Sequence, residues 1–114
     1  MYKIIVTGGL GFIGSNLIKL LLKKKYKILN IDKASYASSF YNIKKFRNHK
    51  HYKFIKNDLS DSKKIFKIIN NYKPTCIFHL AAETHVDRSI DGPKNFIESN
   101  IYGTFNLLEC FKKY

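Results

Sequence analysis

The sequence has no tryptophan, one methionine, two prolines and two cysteines, and only 8 acidic residues stand against 21 lysines and arginines. Each scarcity excludes something. Cys76 and Cys110 lie far apart and neither has the spacing of a metal site, so two buried thiols are expected, with neither a disulfide framework nor a metal. No apolar run approaches the ~20 residues of a bilayer-crossing helix, so no membrane partner is expected. The N-terminus lacks a basic segment followed by an apolar stretch and a small-residue cleavage site, and Met1 leads straight into strand-like residues; the expected location is cytoplasmic. Arginine, the residue suited to reading bases, occurs only at Arg47 and Arg88. The formal net charge of +13 is therefore nearly all lysine, scattered over every segment. It reads as compositional drift toward Lys, Ile, Asn and Tyr rather than as a nucleic-acid surface. Such a field still attracts small anions. No internal repeat or low-complexity linker is present.

What remains is ordinary for a small globular domain: 114 residues, 45% hydrophobic and 25% charged, enough for one real core. Apolar, β-branched Lys3 to Thr7 (KIIVT) predicts a buried strand. Phe12 to Lys24 predicts a helix with Ile13, Leu17, Leu20 and Leu21 on its inner face, and lysines 23 to 25 suit its C-terminal end. Strands are expected at Lys27 to Ile31, Tyr52 to Ile55 and Thr75 to Leu80, the last following Pro74, with a short helix near Phe40 to Phe46. Ser60 or Asp61 caps a second helix through about Asn70, with Ile65, Phe66, Ile68 and Ile69 turned inward. Pro93 fits the first position of a final helix, in which Phe96, Ile97, Ile101, Phe105, Leu108 and Phe111 keep helical spacing. Strands alternating with helices imply an α/β fold with a doubly wound parallel sheet.

The stretch Thr7 to Asn16 (TGGLGFIGSN) carries glycines at positions 8, 11 and 14 between the first strand and the first helix. A helix N-terminus presents unpaired N–H groups and partial positive charge, so an anionic pyrophosphate can sit there if side chains leave room. In that reading Gly8 makes the tight turn, Gly11 lets phosphates approach the backbone, and Gly14 lets the helix pack closely; the amides of Phe12 and Ile13 donate. The spacing is G-x-x-G-x-x-G. Its context strengthens it, because Asp32 ends the second strand about 20 residues on, where a carboxylate accepts hydrogen bonds from a ribose diol. A carboxylate there repels a 2′-phosphate and favours NAD over NADP; Lys33 beside it works against that preference. Two later strand ends fit the same site, since ligands in such sheets bind beyond the carboxyl ends of the strands. They are Asp58 with Leu59, and His79 to Glu83, where Ala81 and Ala82 are small enough for close passage.

TGGLGFIGSN, DKASYAS, NDL, HLAAETHVDRSIDGP and FIESNIYGT together resemble the N-terminal region of the dTDP-glucose 4,6-dehydratases, within the extended short-chain dehydrogenase/reductases. The resemblance covers essentially the whole chain. The first motif is shared across the superfamily, including epimerases and decarboxylases, whereas residues 79 to 93 are more specific. The resemblance implies a Rossmann-type fold and NAD as cofactor. Phe12 and Ile13 would contact the pyrophosphate. Asp32, Lys33, Ala34 and Ser35 would hold the adenosine side, in place of the family's DKLT. Asp58 and Leu59 would flank the adenine. Leu80, Ala81, Ala82, Glu83 and Thr84 would line the nicotinamide half, with Ser99 near NAD. Thr84, His85, Asp87 and Arg88 would shape the sugar-nucleotide side; a loop salt bridge is the alternative role for Arg88.

By resemblance the reaction is an internal redox cycle on dTDP-glucose: hydride leaves C4, water is lost across C5 and C6, and the hydride returns to C6. A tyrosine in a Tyr-x-x-x-Lys motif and an Asp-Glu pair do this chemistry in the family. The Asp-Glu pair does not occur here, and Tyr2, Tyr26 and Tyr72 are followed four residues on by Val6, Asn30 and Cys76; Tyr41 with Lys45 and Tyr52 with Lys56 have the spacing, but in the family the tyrosine and lysine come later, after another strand. No catalytic residue is thus expected in this chain, which reads as residues 1–114 of the N-terminal part of an NAD-binding domain, inactive alone. The resemblance also suggests a homodimer and a place in deoxysugar synthesis. Another sugar-nucleotide epimerase or dehydratase, or a non-catalytic NAD-binding module, remains as an alternative.

Overall fold

A computed structural model describes residues 2–34, 40–81 and 103–113. The chain forms two compact units, one of residues 1–56 and 74–80, the other of residues 57–73 and 81–114.

The first unit is a parallel sheet. Its strands are β1 (Lys3–Thr7), β2 (Lys27–Asp32), β3 (Tyr52–Lys56) and β4 (Cys76–His79), in the order β3-β2-β1-β4. Register follows from β1: Lys3 opposes Lys27 and Thr7 opposes Ile31 on one side, and Thr7 opposes His79 on the other. The two central strands are covered on both faces and carry the near-continuous apolar runs that such burial selects. Ile4, Ile5 and Val6 of β1 and Ile28, Leu29 and Ile31 of β2 are all buried. The chain steps outward from β1 to β2 and β3, then returns to the far side of β1 as β4. The order therefore reverses beside β1, and in open parallel sheets the crevice beyond the carboxyl ends at such a reversal takes ligands.

Helix α1 (Phe12–Lys23) connects β1 to β2. Its inner face is Gly14, Ser15, Ile18, Leu21 and Leu22. Apolar spacing points instead to Ile13, Leu17, Leu20 and Leu21. Leu21 is buried and Leu17 partly so, but Ile13 is 71% and Leu20 52% exposed. The cause is Gly14: its lack of a side chain draws that side of the helix against the preceding loop, which rotates the stripe 14-18-21-22 inward. Ile18, Leu21 and Leu22 then pack with Ile4, Val6, Leu10, Ile28 and the segment after β2, through Ile43 and Phe46. That segment holds a short 3₁₀ helix, Phe40–Ile43, where a helix to Phe46 was expected. Helix α1 ends in two reverse bonds, Lys25 N–H to Leu22 O and Tyr26 N–H to Leu21 O, with Lys25 at φ 66°. This is the pairing of a Schellman motif, with lysine where glycine is usual.

The second unit contains α2 (Ser62–Tyr72) and α3 (Gly103–Lys113). Of the two expected caps, Asp61 is the one used: its carboxylate accepts the Lys64 amide at 3.2 Å. Ile65 and Ile69 are fully buried as expected, Ile68 is half-buried, and Phe66 is exposed. Among the described side chains of α3 the buried ones are Leu107 and Cys110, the latter with its Sγ 3.5 Å from Ser62 O. The expected stripe Phe105, Leu108 and Phe111 lies on the exposed side instead. Period 3.6 admits both stripes, and contact with α2 selects the one carrying the smaller Cys110. The expected start of this helix, with Phe96, Ile97 and Ile101, lies outside the described residues. Cys76 is half-buried and Cys110 buried, both as free thiols.

Candidate functional site

The loop from Gly8 to Gly11 leaves the end of β1, and the site is built from how its amides are used. Gly8 N–H donates to Ile31 O at 3.0 Å. Gly9 N–H donates to Asn30 Oδ1 at 2.9 Å, and Leu10 N–H to Asp32 Oδ2 at 3.1 Å. Gly11 N–H closes back on Gly8 O at 3.2 Å. Three consecutive residues of β2 thus supply acceptors to three consecutive loop amides. The Leu10 side chain is fully buried, and its carbonyl accepts from Asn42 Nδ2 at 2.9 Å. The loop is consequently held on all sides by the protein itself.

The next amides differ. Gly11 is the N-cap of α1 and has no side chain to offer, so Phe12 and Ile13 begin the helix without a side-chain cap. First-turn amides have no partner inside a helix and carry its positive end. No acidic side chain occupies that first turn. The side chains of Phe12 and Ile13 are 77% and 71% exposed, an arrangement that makes room for an anion at the backbone and apolar surface beside it.

The glycines separate by what they are needed for. Gly8 has φ 76°, in the left-handed region that glycine enters without penalty. A Cβ on Gly14 would meet the Gly8 carbonyl oxygen at 2.3 Å and the Gly9 Cα at 2.8 Å. A Cβ on Gly9 would stand 2.3 Å from Asn30 Oδ1 and 2.4 Å from Ile18 Cδ1. Among the described residues, a Cβ on Gly11 would meet nothing nearer than the Gly8 carbonyl oxygen at 3.5 Å, and Gly11 has an extended backbone open to any residue. Backbone conformation accounts for glycine at 8 and packing for glycine at 9 and 14, while the described residues leave position 11 bare. Glycine spacing alone assigns Gly9 no role, because its reason sits 21 residues away on β2.

Asp32 is nearly buried at the end of β2. Its Oδ1 accepts the Ala34 amide at 2.8 Å while Oδ2 holds Leu10. Ala34 has φ 56°, so the chain turns sharply after the acid, and Lys33 is half-buried between them. Across the reversal point, Thr7 and His79 join the ends of β1 and β4, with Thr7 Oγ1 2.6 Å from His79 Nδ1. The Leu80 amide donates to both Thr7 O and Thr7 Oγ1 at 3.0 Å. A hydroxyl both donates and accepts, so the direction of the Thr7–His79 bond follows the tautomer of the imidazole. Burial pushes the His79 pKa down and so favours the neutral imidazole.

The first unit thus brings Gly8, Gly11, Phe12, Ile13, Gly14, Asp32, Lys33, Ala34 and Leu80 to the carboxyl ends of the strands. Asp58, Leu59 and Ala81 belong to the second unit. There Asp58 builds the turn into α2, its Oδ1 accepting the Ser60 amide at 3.0 Å, and Leu59 is buried. Ser35, Ala82, Glu83, Thr84, His85, Asp87, Arg88 and Ser99 lie outside the described residues. Among the described residues no group of His, Cys, Asp or Glu could hold a metal ion. Sequence reasoning missed Asn30 and Asn42; a polar amide inside the apolar run KILNID was the one available signal.

Comparisons with known proteins agree with this geometry. The chain is 46% identical over 113 residues to the dTDP-glucose 4,6-dehydratase of Escherichia coli, across 98% of this chain and 31% of the relative. It is similar to the crystal structure of dTDP-glucose 4,6-dehydratase from Bacillus anthracis in complex with NAD, with a TM-score of 0.87 at 34% identity, covering 100% of this chain and 34% of that one. The UDP-glucose 4-epimerase of Thermotoga maritima, solved with UDP-glucose, matches with a TM-score of 0.87 at 31% identity, over 98% of this chain and 34% of that one. The fold is therefore Rossmann-type, as the sequence led us to expect, and the chain spans about a third of the length of these relatives. Residues 5–114 match the family model described as GDP-mannose 4,6 dehydratase. The chain belongs to that dehydratase family.

Proposed function

We propose that this chain is the NAD-binding portion of a dTDP-glucose 4,6-dehydratase, acting on dTDP-glucose to give the 4-keto-6-deoxy sugar nucleotide used in deoxysugar synthesis. The observation that carries the reading is Gly11. Among the described residues nothing needs glycine there, and it sits beside two uncapped helix amides, which is the space a pyrophosphate requires. NAD, when bound, would accept and return the hydride.

The chain's own residues bind and orient. Phe12 and Ile13 amides take the pyrophosphate. The Asp32 carboxylate accepts from the ribose diol, and its charge disfavours a 2′-phosphate. Lys33, Ala34 and Ser35 border the adenosine, with Asp58 and Leu59 at the adenine. Leu80 to Thr84 and Ser99 line the nicotinamide half, and Thr84, His85, Asp87 and Arg88 face the sugar nucleotide. By the resemblance to the dehydratases, the catalytic tyrosine, lysine and acid pair come later in the full-length protein. The whole protein is a cytoplasmic homodimer with no nucleic-acid or membrane partner.

The test is to incubate the full-length protein with NAD and either dTDP-glucose or UDP-glucose. We expect a 4-keto-6-deoxy product from dTDP-glucose, read by its alkaline absorbance and by NMR. Epimerisation of UDP-glucose with no ketone would establish the epimerase alternative. NAD binding without turnover of either sugar would establish a binding module.

A further inference from the structure

Asn30 is fully buried in the middle of β2, between Leu29 and Ile31. An amide is a poor strand former and costly to bury unless both of its ends are paired. Both are. Oδ1 accepts the Gly9 amide at 2.9 Å, and Nδ2 donates to the Tyr52 hydroxyl of β3 at 3.1 Å. Tyr52 is itself buried, and desolvation raises its pKa, so its hydroxyl stays protonated. Gly9 answers Asn30 in kind, since any side chain there would overlap the amide oxygen.

The neutrality of the amide is informative. Asn30 and Asp32 lie two apart on one strand and hence on one face. A second carboxylate at position 30 would repel Asp32 and any anion at the start of α1. An apolar residue would leave the Gly9 amide buried without this acceptor. Asparagine supplies an acceptor without adding charge next to an anion site.

We propose that Asn30 is a positioning residue for pyrophosphate. It pulls the Gly9 amide onto β2 and so fixes where α1 begins and where the Phe12 and Ile13 amides stand, and Tyr52 anchors the Asn30 amide. The inference rests on the NAD-binding reading above. Neither residue touches the cofactor.

The experiment uses the full-length protein and three probes: NAD, ADP-ribose, and adenosine, which lacks phosphate. Asn30→Leu is expected to weaken NAD and ADP-ribose about tenfold or more, the effect of stranding a buried donor, and Tyr52→Phe about three- to tenfold. Adenosine affinity is expected to stay within about twofold in both, which a general loss of structure would not allow. Because Tyr52 acts through Asn30, the double variant is expected to bind NAD no more weakly than Asn30→Leu alone. Unchanged NAD affinity in the single variants, losses that multiply, or adenosine falling with ADP-ribose each overturns the proposal. Should Asn30→Leu fail to fold, Tyr52→Phe removes one oxygen only and decides the question by the same comparison of probes. Failure of the unaltered protein to bind NAD would instead overturn the proposed function, and this inference with it.

Discussion

At the scale of single residues, two glycines three apart are asked to do opposite things. Gly14 is bare because loop backbone occupies the place of its side chain. Gly14→Ala is expected to destabilise the protein by about 2–3 kcal/mol, the cost of forcing backbone apart. Gly11 is bare although the described residues leave room. Gly11→Ala is expected to cost under about 1 kcal/mol of stability, the difference between glycine and alanine at an N-cap. It should weaken NAD more than about tenfold, because the methyl group stands where phosphate approaches. Denaturant melts and NAD titrations of the two variants check the pair. Equal losses of stability would refute the separation. The glycine spacing and Asp32 were legible in the sequence because both follow from local geometry at strand ends. Gly9, Asn30 and Asn42 were not, because each owes its identity to a contact 21 or 32 residues away, and no local rule reports which residue a loop will meet.

At the scale of elements, the order and kind of strands and helices could be read, but not which side of a helix turns inward. In α1 the buried stripe is set by Gly14, and in α3 by the fit of Leu107 and Cys110. Apolar spacing alone offered a second stripe in each, and only tertiary contact chooses. The ends of α1 and α2 share a local defect, a lysine with positive φ at Lys25 and at Lys73. Lys25 ends α1 with φ 66°, a conformation in which a side chain crowds the backbone. Lys25→Gly is expected to stabilise the protein by about 1 kcal/mol. It leaves the distant loop untouched, so NAD affinity should not change. A thermal melt with and without NAD checks both, and a loss of stability would show that the lysine makes a compensating contact.

At the scale of the whole molecule, the sheet depends on its two halves meeting beside β1, and the Thr7–His79 bond lies at that junction. Burial holds the His79 pKa below its usual 6.5, so the unfolded chain binds more protons than the native one in the interval between the two values. Stability is then flat above about pH 6.5 and falls as pH drops through that interval. His79→Asn, which keeps an acceptor and cannot titrate there, is expected to flatten this slope. Parallel melts of both proteins between pH 5 and 8 check it, and an identical slope would assign the acid sensitivity elsewhere. The charge of +13 acts at the same scale. It leaves the fold alone but speeds the arrival of an anionic cofactor at low salt.

The hydrogen bonds around the loop also imply a sequence of events in time. Those from Gly9 and Leu10 span 21 and 22 residues, while Thr7 to His79 spans 72. Closing the longer loop costs only about 1 kcal/mol more in chain entropy. On the ribosome the separation matters more, since about 50 further residues take roughly 3–10 s to synthesise. The loop can therefore take its shape on β2 while β4 is still unmade. A nascent chain would carry a finished phosphate cradle before it has a crevice, and binding of the cofactor could begin to select the native strand order while translation continues.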